Sequence, residues 1–448
     1  MIEGGHVATV DAAGTEYGEG YVAMDGTRIL AVGAGRAPAE LRDAAVRRYD
    51  ARGALVTPGL INTHHHLYQW LTRGWAQDAI LFDWLVALYP TWSRINADSA
   101  HTAAAGAMAV AARSGCTTVG DHHYIFPHGS GDIVGGIVTA AAGLGLRLHA
   151  TRGSMDLGTS DGGLPPDFAV ETTDAALRAS AEAVAAYHDP SFDSMARVAI
   201  APCSPFSVTA DLLRESAVLA RELDVRLHTH GAETVEEEAY CREHFGASPT
   251  DYLESLGWLG PDVWMAHCVH LDAGAIAKFA ATGTGIAHCP SSNARLAAGI
   301  SPIRALVNAG APVGLGVDGA ASNESGQLGT EIRQALLMSR LRDGAAAMSV
   351  RDALRLGTMG GARVLGREAE IGSLEPGKLA DVVVWDVSTV ENAGIADPVA
   401  ALGLGSLPPV KTMLVNGKEV VTDGHLTRAD ESTIARGVVA AAEALARG

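Results

Sequence analysis

The chain has 448 residues, 48% hydrophobic and 19% charged, the balance of a folded globular protein and not of a disordered or fibrous one. Its formal charge of -18 repels a phosphate backbone or an anionic membrane surface, and no basic cluster offsets it, so neither nucleic acid nor membrane is an expected partner. No apolar run reaches the length of a membrane span, and the 5 cysteines, without a CxxC pair, read as reduced thiols.

The N-terminus, MIEGGHVATVD, lacks both a basic n-region and an apolar h-region, so no secretory signal is expected and the expected location is cytoplasmic. Residues 1–57 read as short strands with Gly-rich turns, for example HVATVDAAG and GYVAMDGTRILAVG. The same texture returns in ADVVVWDV and VKTMLVNGKEVVTDGHL. The two termini are therefore expected to build one small β-sandwich domain, 1–57 joined by 369–448 with a C-terminal helix, around an insertion at 58–368. A separate N-terminal domain is the alternative.

Inside the insertion, apolar runs of strand length alternate with Ala-rich helical segments at 98–114, 132–145, 171–188, 209–223 and 271–282. Eight strands are expected, ending in GLINTHHH, CTTVGDHH, LRLHATRG, VAIAPCSP, VRLHTHGAE, VWMAHCVH, TGIAHCPSSN and VGLGVDGAAS. Apolar strands alternating with helices imply a parallel sheet covered on both faces, and eight such units imply a closed α/β architecture, the (β/α)8 barrel. A doubly wound open sheet is the second choice. A helical segment at 349–366 would complete the outer ring. Each strand turns polar at its C-terminal end, the face where barrel enzymes carry their chemistry.

Side chains on a strand alternate faces, so His64 and His66 share one face and His65 points the other way. On the fifth strand His228 and His230 share a face, with His230 nearer the C-terminal end and Glu233 just beyond the strand. His267 ends the sixth strand and Asp318 the eighth. A lone histidine is usually a satisfied core or surface residue; several at the same end of neighbouring strands point to a ligand set. His64, His66, His230 and Asp318 give three nitrogens and a carboxylate, which with one water suit a mononuclear Zn²⁺, or Fe²⁺ as the second candidate.

HxH on the first strand, HxxE on the fifth, His on the sixth and Asp on the eighth resemble the pattern of the amidohydrolase superfamily. GSLEPGKLADVVVWD and VNGKEVV are similar to that superfamily's C-terminal strands, so the resemblance covers nearly the whole chain. Members that bridge two metals use a carboxylated lysine at the end of the fourth strand. Here that strand ends IAPCSPF, and Lys278, Lys378, Lys411 and Lys418 lie elsewhere, so the chain resembles the mononuclear deaminase and chlorohydrolase branch. The resemblance implies that the metal generates hydroxide at neutral pH, that Asp318 takes its proton, that Glu233 protonates a ring nitrogen, and that His267 hydrogen-bonds the attacking oxygen.

The nearer resemblance is to the 8-oxoguanine deaminases, carried by NTHHHLYQWLTRG, DHHYIFPHG, RGSMDLGTSDGGLPPD, APCSPFSV, HCPSSNARLAAGI and GLGVDGAASN. It implies hydrolysis of 8-oxoguanine to urate and ammonia. Triazine chlorohydrolases share part of the pattern, and guanine deaminases share HxHxxQ, although their strand-four Arg has no counterpart in PCSPFS. The alternatives are guanine, a pterin or an s-triazine as substrate and, more remotely, a non-catalytic scaffold. Gln69 is the expected reader of a ring oxo or N–H group, against the reading of a plain loop amide. Trp70, with Trp75, Trp84 and Trp92 in the same segment, reads equally as a stacking surface and as core packing. Cys203, His123 and Arg152, at strand ends, are further candidate substrate contacts, and His288 and Asn293 are candidate supporting residues. The 153–167 loop is a candidate lid or a surface connection. The resemblance also implies a homo-oligomer.

Overall fold

Leu60–Asn62 (β1), Cys116–Gly120 (β2), Arg147–Ser154 (β3), Ala196–Pro202 (β4), Leu227–Gly231 (β5), Val263–His267 (β6), Gly285–His288 (β7) and Val313–Leu315 (β8) form a closed parallel barrel in a computed structural model that describes residues 1–447. The eight expected strands are the eight observed, and closure of β8 onto β1 through Leu315 and Asn62 excludes the open doubly wound sheet. Most of these strands are buried along their whole length, as strands packed on both faces must be.

The outer helices fall where the periodicity places them, for example Ala97–Arg113, Ile133–Leu144, Thr173–Tyr187, Ala210–Glu222 and Ala273–Thr282. Asn96 starts the first of these with a capping box: its side chain accepts from the Ser99 N–H at 2.9 Å and the Ser99 hydroxyl accepts from the Asn96 N–H. Ala100, Ala103, Ala104, Ala107, Met108 and Ala111 then line its buried stripe at three- and four-residue intervals. The 349–366 segment is helical with one wide turn at Leu356–Gly360, between Val350–Arg355 and Gly361–Val364. The turn brings Gly361 against Ile61, where a Cβ would lie 2.9 Å from the Ile61 side chain.

The barrel's first strand is not continuous into the histidines. β1 stops at Asn62, and His65–His66 pairs separately with Asp318–Gly319. The reason is local. Asn62 Oδ1 accepts the N–H groups of His64 and Val317, at 3.3 and 3.2 Å, and so takes the place of a ladder bond between the two strand ends.

The chain ends join in a nine-stranded sheet. Strands 2–8, 16–25, 28–34, 49–50 and 54–58 come from the N-terminal side and 382–386, 410–415, 418–422 and 425–426 from the C-terminal side, with 54–58 antiparallel to 382–386. The C-terminal helix Glu431–Arg447 leaves this sheet and packs on the barrel helix Ala97–Arg113, where Val438 sits over Gly106. No helix among the described residues is long and apolar enough to cross a membrane.

Candidate active site

Three imidazoles are turned toward one point by what holds their other nitrogen. His66 Nδ1 lies 2.6 Å from the His122 carbonyl and His230 Nδ1 lies 2.7 Å from the Cys203 carbonyl. A carbonyl only accepts, so both Nδ1 atoms carry the proton and both Nε2 atoms a lone pair. His228 Nδ1 donates to the Trp264 carbonyl at 2.9 Å, so its Nε2 accepts from His64 Nδ1 at 2.7 Å. That fixes the third Nε2 as a lone pair as well. The His66 and His230 Nε2 atoms are 3.2 Å apart, and the His64 and His66 Nε2 atoms lie 3.2 and 3.1 Å from Asp318 Oδ1. Three lone pairs and a carboxylate, buried and without a donor among them, repel one another unless a cation stands between them. His64 Nε2 has no hydrogen-bond partner in the fold. The donor set fits one divalent metal ion, and the carbonyls and His228 supply the outer contacts that orient metal-binding histidines.

Asp318 is braced at its other oxygen by the hydroxyls of Ser292, at 2.5 Å, and Ser322, at 3.1 Å. His267 donates through Nδ1 to Asn293 Oδ1 at 2.9 Å, leaving Nε2 3.6 Å from Glu233 Oε2 and 4.0 Å from Asp318 Oδ2. Burial, with the Asp318 and Glu237 carboxylates adding to it, pushes the Glu233 carboxyl well above the usual range and favours its protonated form. His267, Cys268 and Asp318 all have left-handed backbones (φ 72°, 48° and 65°), strain of about 1–3 kcal/mol at each non-glycine position that surrounding bonds must hold in place. Glu233, His267 and Asp318 face a small cavity. Gln69, Cys203, Glu233, His267 and Asp318 form its polar side and Leu81, Trp84, Leu85 and Phe206 its apolar side. Gln69 is fully buried, its Oε1 has no partner, and its Nε2 has only a 3.5 Å contact to the Tyr68 hydroxyl.

The amidohydrolase family model matches residues 55–426, which take in the barrel and, of the terminal sheet, residues 55–58 and the strands 382–386, 410–415, 418–422 and 425–426. The chain belongs to the amidohydrolase family. It is a hydrolase acting on carbon–nitrogen bonds. It is 44% identical to an 8-oxoguanine deaminase of Pseudomonas aeruginosa over 99% of this chain and 98% of that one. It is 37% identical to an isoxanthopterin deaminase from an unknown prokaryotic organism, over 85% and 83% of the two chains. The crystal structure of atrazine chlorohydrolase from Arthrobacter aurescens TC1 complexed with zinc superposes with a TM-score of 0.93 at 32% identity, over 98% of this chain and 99% of that one.

In this amidohydrolase the residues expected from the sequence divide into two groups. His64, His66, His230, Glu233, His267 and Asp318 converge, and Gln69 and Cys203 join them on the cavity wall. His65 is on the other face, buried, and contributes no ring nitrogen to the cluster. Three expected substrate contacts lie elsewhere. Trp70 is core: it stands against Gly106 and Gly326, with the Arg73 guanidinium over its ring at 4.0 Å, and it is Trp84 that faces the cavity. His123 is turned behind the site, its Nε2 2.7 Å from the Ile125 carbonyl and its ring against Tyr68 and Phe126. Arg152 is held by both oxygens of Glu171, at 2.8 and 2.7 Å, and stacks on Phe126 beside an outer groove. The neighbour that matters on β2 is His122, whose ring stacks on that of His230 at 4.8 Å and whose carbonyl orients His66. The pair HH in CTTVGDHHY was visible, but not which of the two faces inward; here the His122 N–H donates to the His65 carbonyl at 2.6 Å and its ring joins the cluster. Tyr124, Ser204 and Phe206, also on the cavity, carried no signal beyond their neighbourhood.

Proposed function

We propose that this amidohydrolase deaminates an oxidised purine, converting 8-oxoguanine and water to urate and ammonia, with one zinc ion held by His64, His66, His230 and Asp318. The observation that carries the reading is the joint one: a small cavity lined by Gln69, Glu233, His267 and Asp318, with one unpartnered amide facing it, in a chain 44% identical over nearly its whole length to an 8-oxoguanine deaminase. Zinc suits the donor set and is the ion in the triazine-hydrolysing neighbour.

When bound, the ion supplies Lewis acidity and lowers the pKa of a water molecule. The chain does the rest. Leu81, Trp84, Leu85 and Phe206 exclude bulk water from a flat ring. Gln69 offers an acceptor and a donor to ring N–H and oxo groups, and a buried amide left unpaired penalises rings that lack them. Asp318 takes a proton from the attacking water. Glu233, kept neutral by burial, donates to the ring nitrogen beside the amino-bearing carbon, which makes that carbon electrophilic. His267 hydrogen-bonds the oxygen added to that carbon. The amino group leaves as ammonia once protonated, because an amide anion is a poor leaving group. The β4 end presents Cys203 and Ser204 here, with no cation to hold an oxo group.

The test is ammonia release with urate absorbance on adding 8-oxoguanine to zinc-loaded protein, beside guanine, isoxanthopterin and a chlorotriazine. Turnover of 8-oxoguanine with the highest kcat/KM is expected. Preference for any of the other three would replace the substrate named here.

A further inference from the structure

Glu237 touches no part of the cavity, yet it is fully buried and its carboxylate is spent on two backbone groups. Oε1 accepts the Ala232 N–H at 3.0 Å and Oε2 accepts the Glu233 N–H at 2.7 Å. The sequence explains how it gets there. Thr234 caps the helix Val235–Phe245, its hydroxyl accepting from the Glu237 N–H at 3.3 Å, and Glu237 is the third helical residue, the position from which a capping-box glutamate reaches back toward the start of the helix. Here it reaches past the cap to the two residues before it.

Those two residues need holding. Ala232 has φ 52°, a left-handed backbone without a glycine's freedom. Its carbonyl accepts from the N–H groups of Val269, at 2.8 Å, and His270, at 2.9 Å, just beyond β6. With Glu237 on its N–H and the segment after β6 on its carbonyl, the turn that carries Glu233 is held from both sides. That arrangement places Glu233 Oε2 3.6 Å from His267 Nε2, beside the candidate metal ligands.

We propose that Glu237 is a positioning residue for Glu233: by clamping the N–H groups of Ala232 and Glu233 it sets where the catalytic carboxyl delivers its proton. The proposal rests on the deaminase reading for its kinetic consequence, and on geometry alone for the clamp. Glutamine is the informative replacement. It fills the same volume but has one acceptor oxygen, so its NH₂ group faces one of the two N–H groups.

The experiment compares Glu237→Gln, Glu233→Gln and the double variant, each zinc-loaded, by metal content, steady-state kinetics and amide hydrogen exchange of the peptide spanning residues 229–236. E237Q is expected to keep its metal and its KM within about twofold while kcat falls by about 10–100-fold, the scale of a misplaced catalytic group. Exchange at the 232–233 amides is expected to quicken. The double variant is expected to turn over no more slowly than E233Q, because residues that act as one unit are not additive. Independent, multiplying losses would overturn the positioning role, and unchanged exchange in E237Q would overturn the clamp. Hydrogen exchange needs no substrate, so failure of 8-oxoguanine turnover in the parent enzyme sinks the substrate reading and leaves the clamp decided.

Discussion

At the scale of single residues, the proposed roles separate groups that would hold the ion from groups that would move protons. Glu233→Gln leaves every candidate metal ligand in place. It is expected to retain about one equivalent of zinc by elemental analysis and to lose deamination by about 10²–10⁴-fold, the usual contribution of a general acid. Asp318→Asn removes a charge from the candidate ligand set and the proposed proton acceptor together, so metal content and rate are both expected to fall. The pH dependence follows from the sign of the Glu233 shift. Burial raises this carboxyl, and in the proposed mechanism the acid form is the active one. Activity is therefore expected to persist well above ordinary carboxylate pKa values and to fall as pH rises through the raised one. A kcat–pH profile showing no alkaline limb that E233Q alters would remove Glu233 from the role of acid.

At the scale of elements, the joints between units depend on residues too small to be replaced. Gly115 ends the turn into β2 with φ 83°, and the indole of Trp385, from the terminal sheet, lies where its Cβ would be. That indole in turn donates to Thr57 Oγ1 at 2.9 Å, on the strand it pairs with. Gly115→Ala combines a left-handed alanine with an overpacked tryptophan. It is expected to destabilise the protein by about 2–5 kcal/mol in denaturant unfolding while the residual folded enzyme keeps its KM. Periodicity predicts the elements themselves well because strands buried on both faces are simply apolar and helices over them show an Ala and Met stripe. It does not predict the break in β1, since the competing bond comes from one side chain, Asn62, to a residue 255 positions away.

At the scale of the whole molecule, the barrel and the terminal sheet are fastened by a buried polar knot. Arg147, at the start of β3 and inaccessible to solvent, is paired with Asp381 of the sheet segment, its Nη2 lying 3.3 Å from Oδ1 and 2.5 Å from Asn416 Oδ1. Asp381 Oδ1 also accepts the Asn416 N–H at 2.9 Å. Asp381→Ala would strand a buried guanidinium, which costs about 3–5 kcal/mol, and a lowered unfolding midpoint with unchanged metal content is the expected result. This knot lies at the end of the barrel opposite the histidines, so it bears on stability and not on chemistry.

The sequence by itself determined the barrel, the joining of the two termini in one sheet and the residues that converge at the candidate site. Strand ends are local features, and the inward-facing position at each of them can be read from the alternation of side chains. Only the tertiary structure decided the surroundings. It assigned His122 and not His123 to the cluster, gave the cavity to Trp84 and not Trp70, and took Arg152 away to Glu171. In each case the deciding contact joins separate elements: the His65 carbonyl with the end of β2, the helix Ala97–Arg113 with Trp70, and Glu171, in the connection after β3, with Arg152 at the end of that strand. Alternation gives a side chain one of two directions. Which direction is inward, and what is already occupying it, is settled by neighbours that no local pattern contains.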